Sequence, residues 1–190
     1  MRHAFVIVSL LACAVSMAAE TPTPDSKAPS KNVAAPPEGQ TPEGAGAELK
    51  PTQGNSVTGT VSLVAEKKGL RVAGMIKGLK PGAEHGFHIH EKGDCSAPDA
   101  SSAGDHFNPT SQPHGNPKTS GPRHAGDMVN LRADAQGVAK IDAFIEGAVM
   151  KSGKANDLAG KSIVVHEKPD DYTSQPSGNS GARVACGVIE

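Results

Sequence analysis

An antiparallel all-β sandwich or barrel of about eight strands is the fold class this 190-residue sequence predicts. Three observations carry that expectation. Short apolar segments alternate with a two-residue period, turn signals separate them, and no useful length of chain shows a 3.6-residue period. The composition agrees. With 22 Gly and 15 Pro the chain is turn-rich, and without Trp, with one Tyr and four Phe, its core has to be built from Val, Ile, Leu and Ala.

Taken in order, residues 1–19 read as a secretion signal. Arg2 is a short basic start, Ala4 to Ala12 is apolar apart from Ser9, and small residues follow at Ser16, Ala18 and Ala19. Two processing routes compete. Cleavage near Ala18 or Ala19 releases a soluble protein. Alternatively, Leu10-Leu11-Ala12-Cys13 resembles a bacterial lipobox, and Cys13 becomes a lipidated N-terminus that ties the protein to a membrane. Residues 20–46 are rich in Pro, Ala, Thr, Ser, Gly and Lys and lack apolar periodicity, which predicts a disordered linker. Residues 47–190 form the predicted domain.

Within that domain Val57, Val61 and Leu63 alternate with polar or small residues, Glu66-Lys67-Lys68-Gly69 turns, and Leu70, Val72 and Ile76 return, giving a hairpin. After the turn Leu79-Lys80-Pro81-Gly82, His85 to His90 is extended. Residues 93–126 lack periodicity, and a loop of that length in a compact domain needs a function or an external clamp. Strand patterns resume at Val129 and Leu131, at Val138 to Ile145, at Lys161 to His166 and at Val184 to Ile189, with a polar loop at residues 167–182.

A formal net charge of −1 gives no reason to expect nucleic acid as a partner. Of three Cys, Cys13 lies in the leader, which leaves Cys95 and Cys186 as one pair able to bond in an oxidising compartment. The eight His are distributed informatively. In His88-Ile89-His90, residues two apart on a strand share a face, and two adjacent imidazoles suit copper or zinc. In the long loop His106, His114, His124 and Asp127 offer four N/O ligands, a tetrahedral set for Zn²⁺ that would order the loop on binding. His166 ends a late strand, a place where a lone His is ordinarily a surface or capping residue.

Together His88-Ile89-His90, Gly104 to Pro109, Arg123 to Asp127, Val165-His166-Glu167 and Arg183-Val184-Ala185-Cys186-Gly187-Val188-Ile189 resemble the Cu/Zn superoxide dismutases, in the family's order. The resemblance runs from about Ala47 to Glu190. It implies an eight-stranded Greek-key sandwich and an oxidoreductase that disproportionates superoxide to dioxygen and hydrogen peroxide, with one copper and one zinc per chain. It implies copper ligation by His88, His90, His106 and His166, and zinc ligation by His106, His114, His124 and Asp127, with His106 shared. On the same footing Cys95 and Cys186 form the disulfide, and Asp170 links His88 to His114. Arg183 holds the superoxide anion, and His106 takes up and delivers a proton when the bridge opens. His85 matches no ligand position and reads as structural or exposed.

The exported character and the Pro-rich leader point to the bacterial periplasmic branch, soluble or membrane-anchored, protecting the cell envelope. Monomer and homodimer are both open. A non-catalytic metal-binding module and a zinc hydrolase are the alternatives. The first is expected to lack a copper ligand or the arginine, and the second needs an open zinc position and a general base.

Overall fold

The computed structural model describes residues 45–190. The expected signal segment with Cys13, and the expected linker as far as Gly44, lie outside the described residues. Nine strands are present among the described residues: β1 (Ala45–Pro51), β2 (Thr58–Glu66), β3 (Gly69–Lys77), β4 (Glu84–His85), β5 (Phe87–His90), β6 (Leu131–Arg132), β7 (Ala139–Glu146), β8 (Ser162–His166) and β9 (Arg183–Val188). One 3₁₀ turn, Ser101–Ala103, accompanies them.

Every registered pair is antiparallel. Seven strands form one sheet in the order β5-β8-β9-β1-β2-β3-β7, and β4 pairs with β6. The sheet curls because β1 changes partner along its length. Ala45–Leu49 pair with β2, whereas Lys50 and Pro51 pair with β9. The concave side closes on Leu49, Leu63, Val72, Ile76, Ile89 and Ile163, all essentially without solvent contact. Truncating Ile89 to Ala would cost about 2–5 kcal/mol. The β2–β3 hairpin turns at Lys67-Lys68 as its sequence predicts, with Glu66 paired to Gly69. β1 is the strand that the alternation did not mark: in Ala-Gly-Ala-Glu-Leu-Lys-Pro only Ala47 and Leu49 are buried.

β5 and β8 are buried on both faces. Phe87 and Ile89 face the core, while His88 and His90 face a side that the long loop covers. Backbone hydrogen bonds fix that cover to the middle residue of the His-Ile-His motif. Ile89 N donates to Gly126 O at 2.9 Å, Phe107 N donates to Ile89 O at 2.8 Å, and Gly126 N donates to Phe107 O at 2.8 Å. The ring of three bonds brings His106 opposite His90 and Asp127 opposite His88 as isolated bridges. It also explains Gly126, because a Cβ there would strike the Ile89 carbonyl. On the other side of the motif, a bulge between Val165 and His166 shifts the register and pairs His166 with Arg183.

Within residues 147–160, backbone bonds tie Gly147 to Lys68 and Gly160 to Ile189, and one carboxylate gathers the N–H groups of the turn between them. Asp157 accepts N–H bonds from Ala159, Gly153, Ser152 and Lys151, led by that of Ala159, and its pKa is lowered to about 2. A depressed carboxylate stabilises the loop above its ordinary titration range, and this stabilisation is lost as pH falls through the folded value. Amide exchange followed by NMR should therefore show Lys151, Gly153 and Ala159 losing protection between about pH 4 and 2 while the strands keep theirs. Asp157→Asn should show the same loss at neutral pH. Protection unchanged across that range would contradict the account.

Candidate metal centre

Six imidazoles and two carboxylates meet where β5, the end of β8 and the two long loops converge. His88, His90, His106, His114, His124, His166, Asp127 and Asp170 are all buried. Their ligand atoms fall into two groups, His88-His90-His106-His166 and His106-His114-His124-Asp127, each with all its atoms within 4.8 Å of one another. His106 belongs to both.

The second group gathers around one oxygen. Asp127 Oδ1 lies 2.9 Å from His106 Nδ1, 2.9 Å from His114 Nδ1 and 3.3 Å from His124 Nδ1. A carboxylate oxygen has lone pairs for about two donors. The third imidazole is accordingly left over: His124 Nδ1 is buried and makes no aligned hydrogen bond. A tetrahedral ion with bonds of 2.0–2.1 Å has ligand–ligand edges of about 3.3 Å, so these spacings fit one zinc ion in the middle, satisfying all four atoms. The other carboxylate oxygen is tied down independently, accepting from Gly115 N at 3.0 Å and His124 N at 2.9 Å. Burial pushes the Asp127 pKa up, but the three imidazoles and Gly115 outweigh it and hold the group far below the usual carboxylate range. His114 shows the converse. Burial lowers it, yet hydrogen bonds to Asp127 and Asp170 prevail and raise it to about 9. In the metal-free chain His114 is thus a cation between two anions, the charge a bound dication would replace.

In the first group burial keeps His88, His90 and His166 neutral. His88 Nε2 donates to Asp170 Oδ2 at 2.8 Å, leaving Nδ1 buried and without a partner. His90 Nδ1 donates to Gly104 O at 2.9 Å, which leaves His90 Nε2 bare and 3.4 Å from His166 Nε2. His106 Nε2 is also buried without a partner. Burial lowers His88 to about 4 against the pull of Asp170, lowers His90 to about 2, and takes His166 well below its ordinary value. Neutral imidazoles with free lone pairs are the form that ligates metal, and an all-imidazole set suits copper.

Asp170 joins the groups, with Oδ2 on His88 and Oδ1 on His114 Nε2 at 2.9 Å. Burial raises its pKa, and the bonds from His114 and His88 reverse this and keep it low. Three residues that the sequence reading passed over hold this arrangement. Asn130 clamps the Asp170 backbone, donating from Nδ2 to Asp170 O and accepting Asp170 N, both at 2.9 Å. Gln175 does the same for His114, accepting its N–H and donating to its carbonyl, also at 2.9 Å. Gly178 has φ +67°, and a Cβ there would strike the Asp170 carboxylate. No spacing in the sequence announces backbone clamps of this kind.

Arg183 donates from Nη1 to Ala100 O and from Nη2 to Gly104 O, each at 2.6 Å. Gly104 O is the same carbonyl that fixes His90, so the guanidinium is anchored beside the first group. Burial lowers the Arg183 pKa, with Asp105 and Asp99 opposing, and a guanidinium stays cationic regardless. Ala100 and Gly104 lie on the loop that a Cys95–Cys186 disulfide ties to β9, across a separation of 91 residues. Chain entropy for such a loop is worth about 4–5 kcal/mol. His85 is buried, and its Nδ1 donates to His166 O at 2.8 Å.

Comparison with known proteins gives one family. Residues 57–189 match the family model described as copper/zinc superoxide dismutase (SODC). The chain is 43% identical over 146 residues to "Superoxide dismutase [Cu-Zn] 2" of Aquifex aeolicus, covering 75% of this chain and 84% of that one. It is 40% identical to the "Extracellular superoxide dismutase [Cu-Zn]" of Brugia pahangi, covering 75% and 73%. Among solved structures, a SOD-like protein from Bacillus subtilis superposes with a TM-score of 0.67 at 38% identity, covering 75% of this chain and 95% of that one.

The Asp170 link yields a measurable expectation. Asp170→Asn should weaken zinc binding about 10–100-fold in chelator competition, because a ligating His loses the partner that orients it. Copper binding should weaken with it, since the same carboxylate holds His88. Parent affinities for both ions would count against the link.

Proposed function

The chain belongs to the copper/zinc superoxide dismutase family, and from that membership we propose how its residues divide the work. The protein is an oxidoreductase that disproportionates superoxide to dioxygen and hydrogen peroxide and uses copper and zinc. His88, His90, His106 and His166 would hold copper, and His106, His114, His124 and Asp127 would hold zinc. The observation that carries this assignment is the place of His106, with Nδ1 against Asp127 Oδ1 and Nε2 bare among the other three imidazoles. When bound, copper supplies the one-electron cycling that zinc lacks.

The remaining chemistry belongs to the chain. Arg183 receives the anion: two of its donors are spent on carbonyls, which fix the guanidinium plane, and its other N–H groups are left for substrate. No carboxylate neutralises it within salt-bridge distance among the described residues. His106 Nε2 is the ring nitrogen at which a proton is held and given to the reduced substrate. The disulfide stiffens the segment that carries the Arg183 anchors. The protein acts in the periplasm and protects the cell envelope; its cysteine pairing and its likeness to an extracellular relative support export. Lipid attachment at Cys13 is the membrane-anchored variant of this reading, and homodimer formation its oligomeric extension.

Metal analysis should find one copper and one zinc per chain. Superoxide removal should vanish in His166→Ala and on copper chelation, and equal activity in a copper-free preparation rejects the assignment. Arg183→Ala should lower the second-order rate about 10-fold or more and flatten its dependence on ionic strength, while copper content stays at the parent level. Mass measurement of the mature N-terminus separates a diacylglyceryl Cys13 from a free residue near Glu20.

A further inference from the structure

Grooves on the described surface include two that differ in their relation to the imidazole groups. The larger, about 570 Å³, lies against the disulfide and meets neither imidazole group. The other, about 460 Å³, runs between the 110–125 loop and the end of β7. Thr110, Pro122 and Phe144 wall it, and it reaches His124 and Asp127.

The four proposed zinc ligands are not equally enclosed. The side chains of His114 and Asp127 are 0% exposed and that of His106 3%, whereas His124 is 9% exposed. Their restraints differ in the same order. His106 Nδ1 and His114 Nδ1 are hydrogen-bonded, and His114 is further held by Asp170 and by Gln175. His124 Nδ1 stands 3.3 Å from Asp127 Oδ1 without an aligned hydrogen bond, so of the three rings it is the least restrained. The rings of His88, His90 and His166 crowd that of His106, with centroids 4.0, 5.1 and 6.2 Å away, and the groove reaches none of these four rings.

We propose that zinc enters and leaves through this groove, with His124 as the ligand that swings to admit it. The inference rests on the assignment of His106, His114, His124 and Asp127 to zinc. Arg123 and Glu146 bring opposite charges to the groove and Asp127 adds an anion to its lining, and its width can be varied independently of these charges. Two substitutions change that width without touching a ligand. At Gly121 an added Cβ meets only Thr119 Oγ1, at an ordinary 3.5 Å, so the backbone there accepts a side chain and Gly121→Phe adds bulk to the groove wall. Phe144 is 45% exposed, so Phe144→Ala widens the groove at little cost to the core.

The test is zinc release from the fully metallated protein into a saturating chromogenic chelator, with zinc affinity measured separately by equilibrium competition. A passage scales entry and exit rates alike, so its obstruction changes rate and not equilibrium. Gly121→Phe should slow release several-fold, Phe144→Ala should hasten it several-fold, and both should keep the parent affinity. Parent release rates in both variants would overturn the route and place the limiting step in loop opening elsewhere. Rates that shift only in step with affinity would overturn it too. A parent protein that holds no zinc would remove the ligand assignment and the route together, whereas a zinc-loaded protein with indifferent rates would remove the route alone.

Discussion

A buried anion needs positive charge, and Asp127 is a buried anion set among three imidazoles. Its Oδ1 cannot satisfy all three ring nitrogens by hydrogen bonding, and in the metal-free chain a cationic His114 supplies the compensation. The long loop depends on this arrangement. It holds one short 3₁₀ turn, and its order comes from contacts to the sheet, from the Cys95–Cys186 disulfide, from Gln175 and Asp170 on His114, and from this carboxylate. Metal binding there adds directly to folding free energy, because the unfolded chain has no preformed site.

The sheet contributes position rather than chemistry. Ile89 sits between two imidazoles and gives both its backbone groups to the loop residues that precede Asp127 and follow His106. One strand residue therefore sets the spacing of four functional side chains. The Val165/His166 bulge does comparable work on the other side, bringing a late-strand His opposite the arginine. Such bulges re-aim side chains beside active sites.

How much of this could be read from the sequence follows from the range of each interaction. The His88-Ile89-His90 motif is local, and strand periodicity alone puts both rings on one face. The β2–β3 hairpin is local too, and its turn lies where the polar tetrapeptide predicts. The grouping of His166 with His88 is not local; it came from resemblance, because a lone His ending a strand carries no signal of its own. β1 escaped the periodicity because small residues and a proline fill it and only Ala47 and Leu49 turn inward. Asn130 and Gln175 were illegible for a different reason. Each binds another residue's backbone, and a backbone partner leaves no trace in residue identity. The burial of His85 belongs with them, since its partner is the His166 carbonyl.

The two ends of the centre are built unlike each other, and the difference follows from what each must do. At the first group His88, His90 and His166 are neutral, and the nearby cation, Arg183, is restrained by carbonyls that leave its charge intact. An arginine paired to a carboxylate would keep its charge but have its field offset by the partner. At the second group the Asp127 carboxylate stands among three imidazoles, so the negative charge is the protein's own. Asp170 couples the two without blurring them, because it touches only the ring nitrogens that face away from the proposed ions. A buried carboxylate in that position favours imidazoles that present their opposite nitrogens as bare ligands. Orientation of both rings therefore comes from one group, and the Asn130 clamp on its backbone makes that orientation a property of the fold.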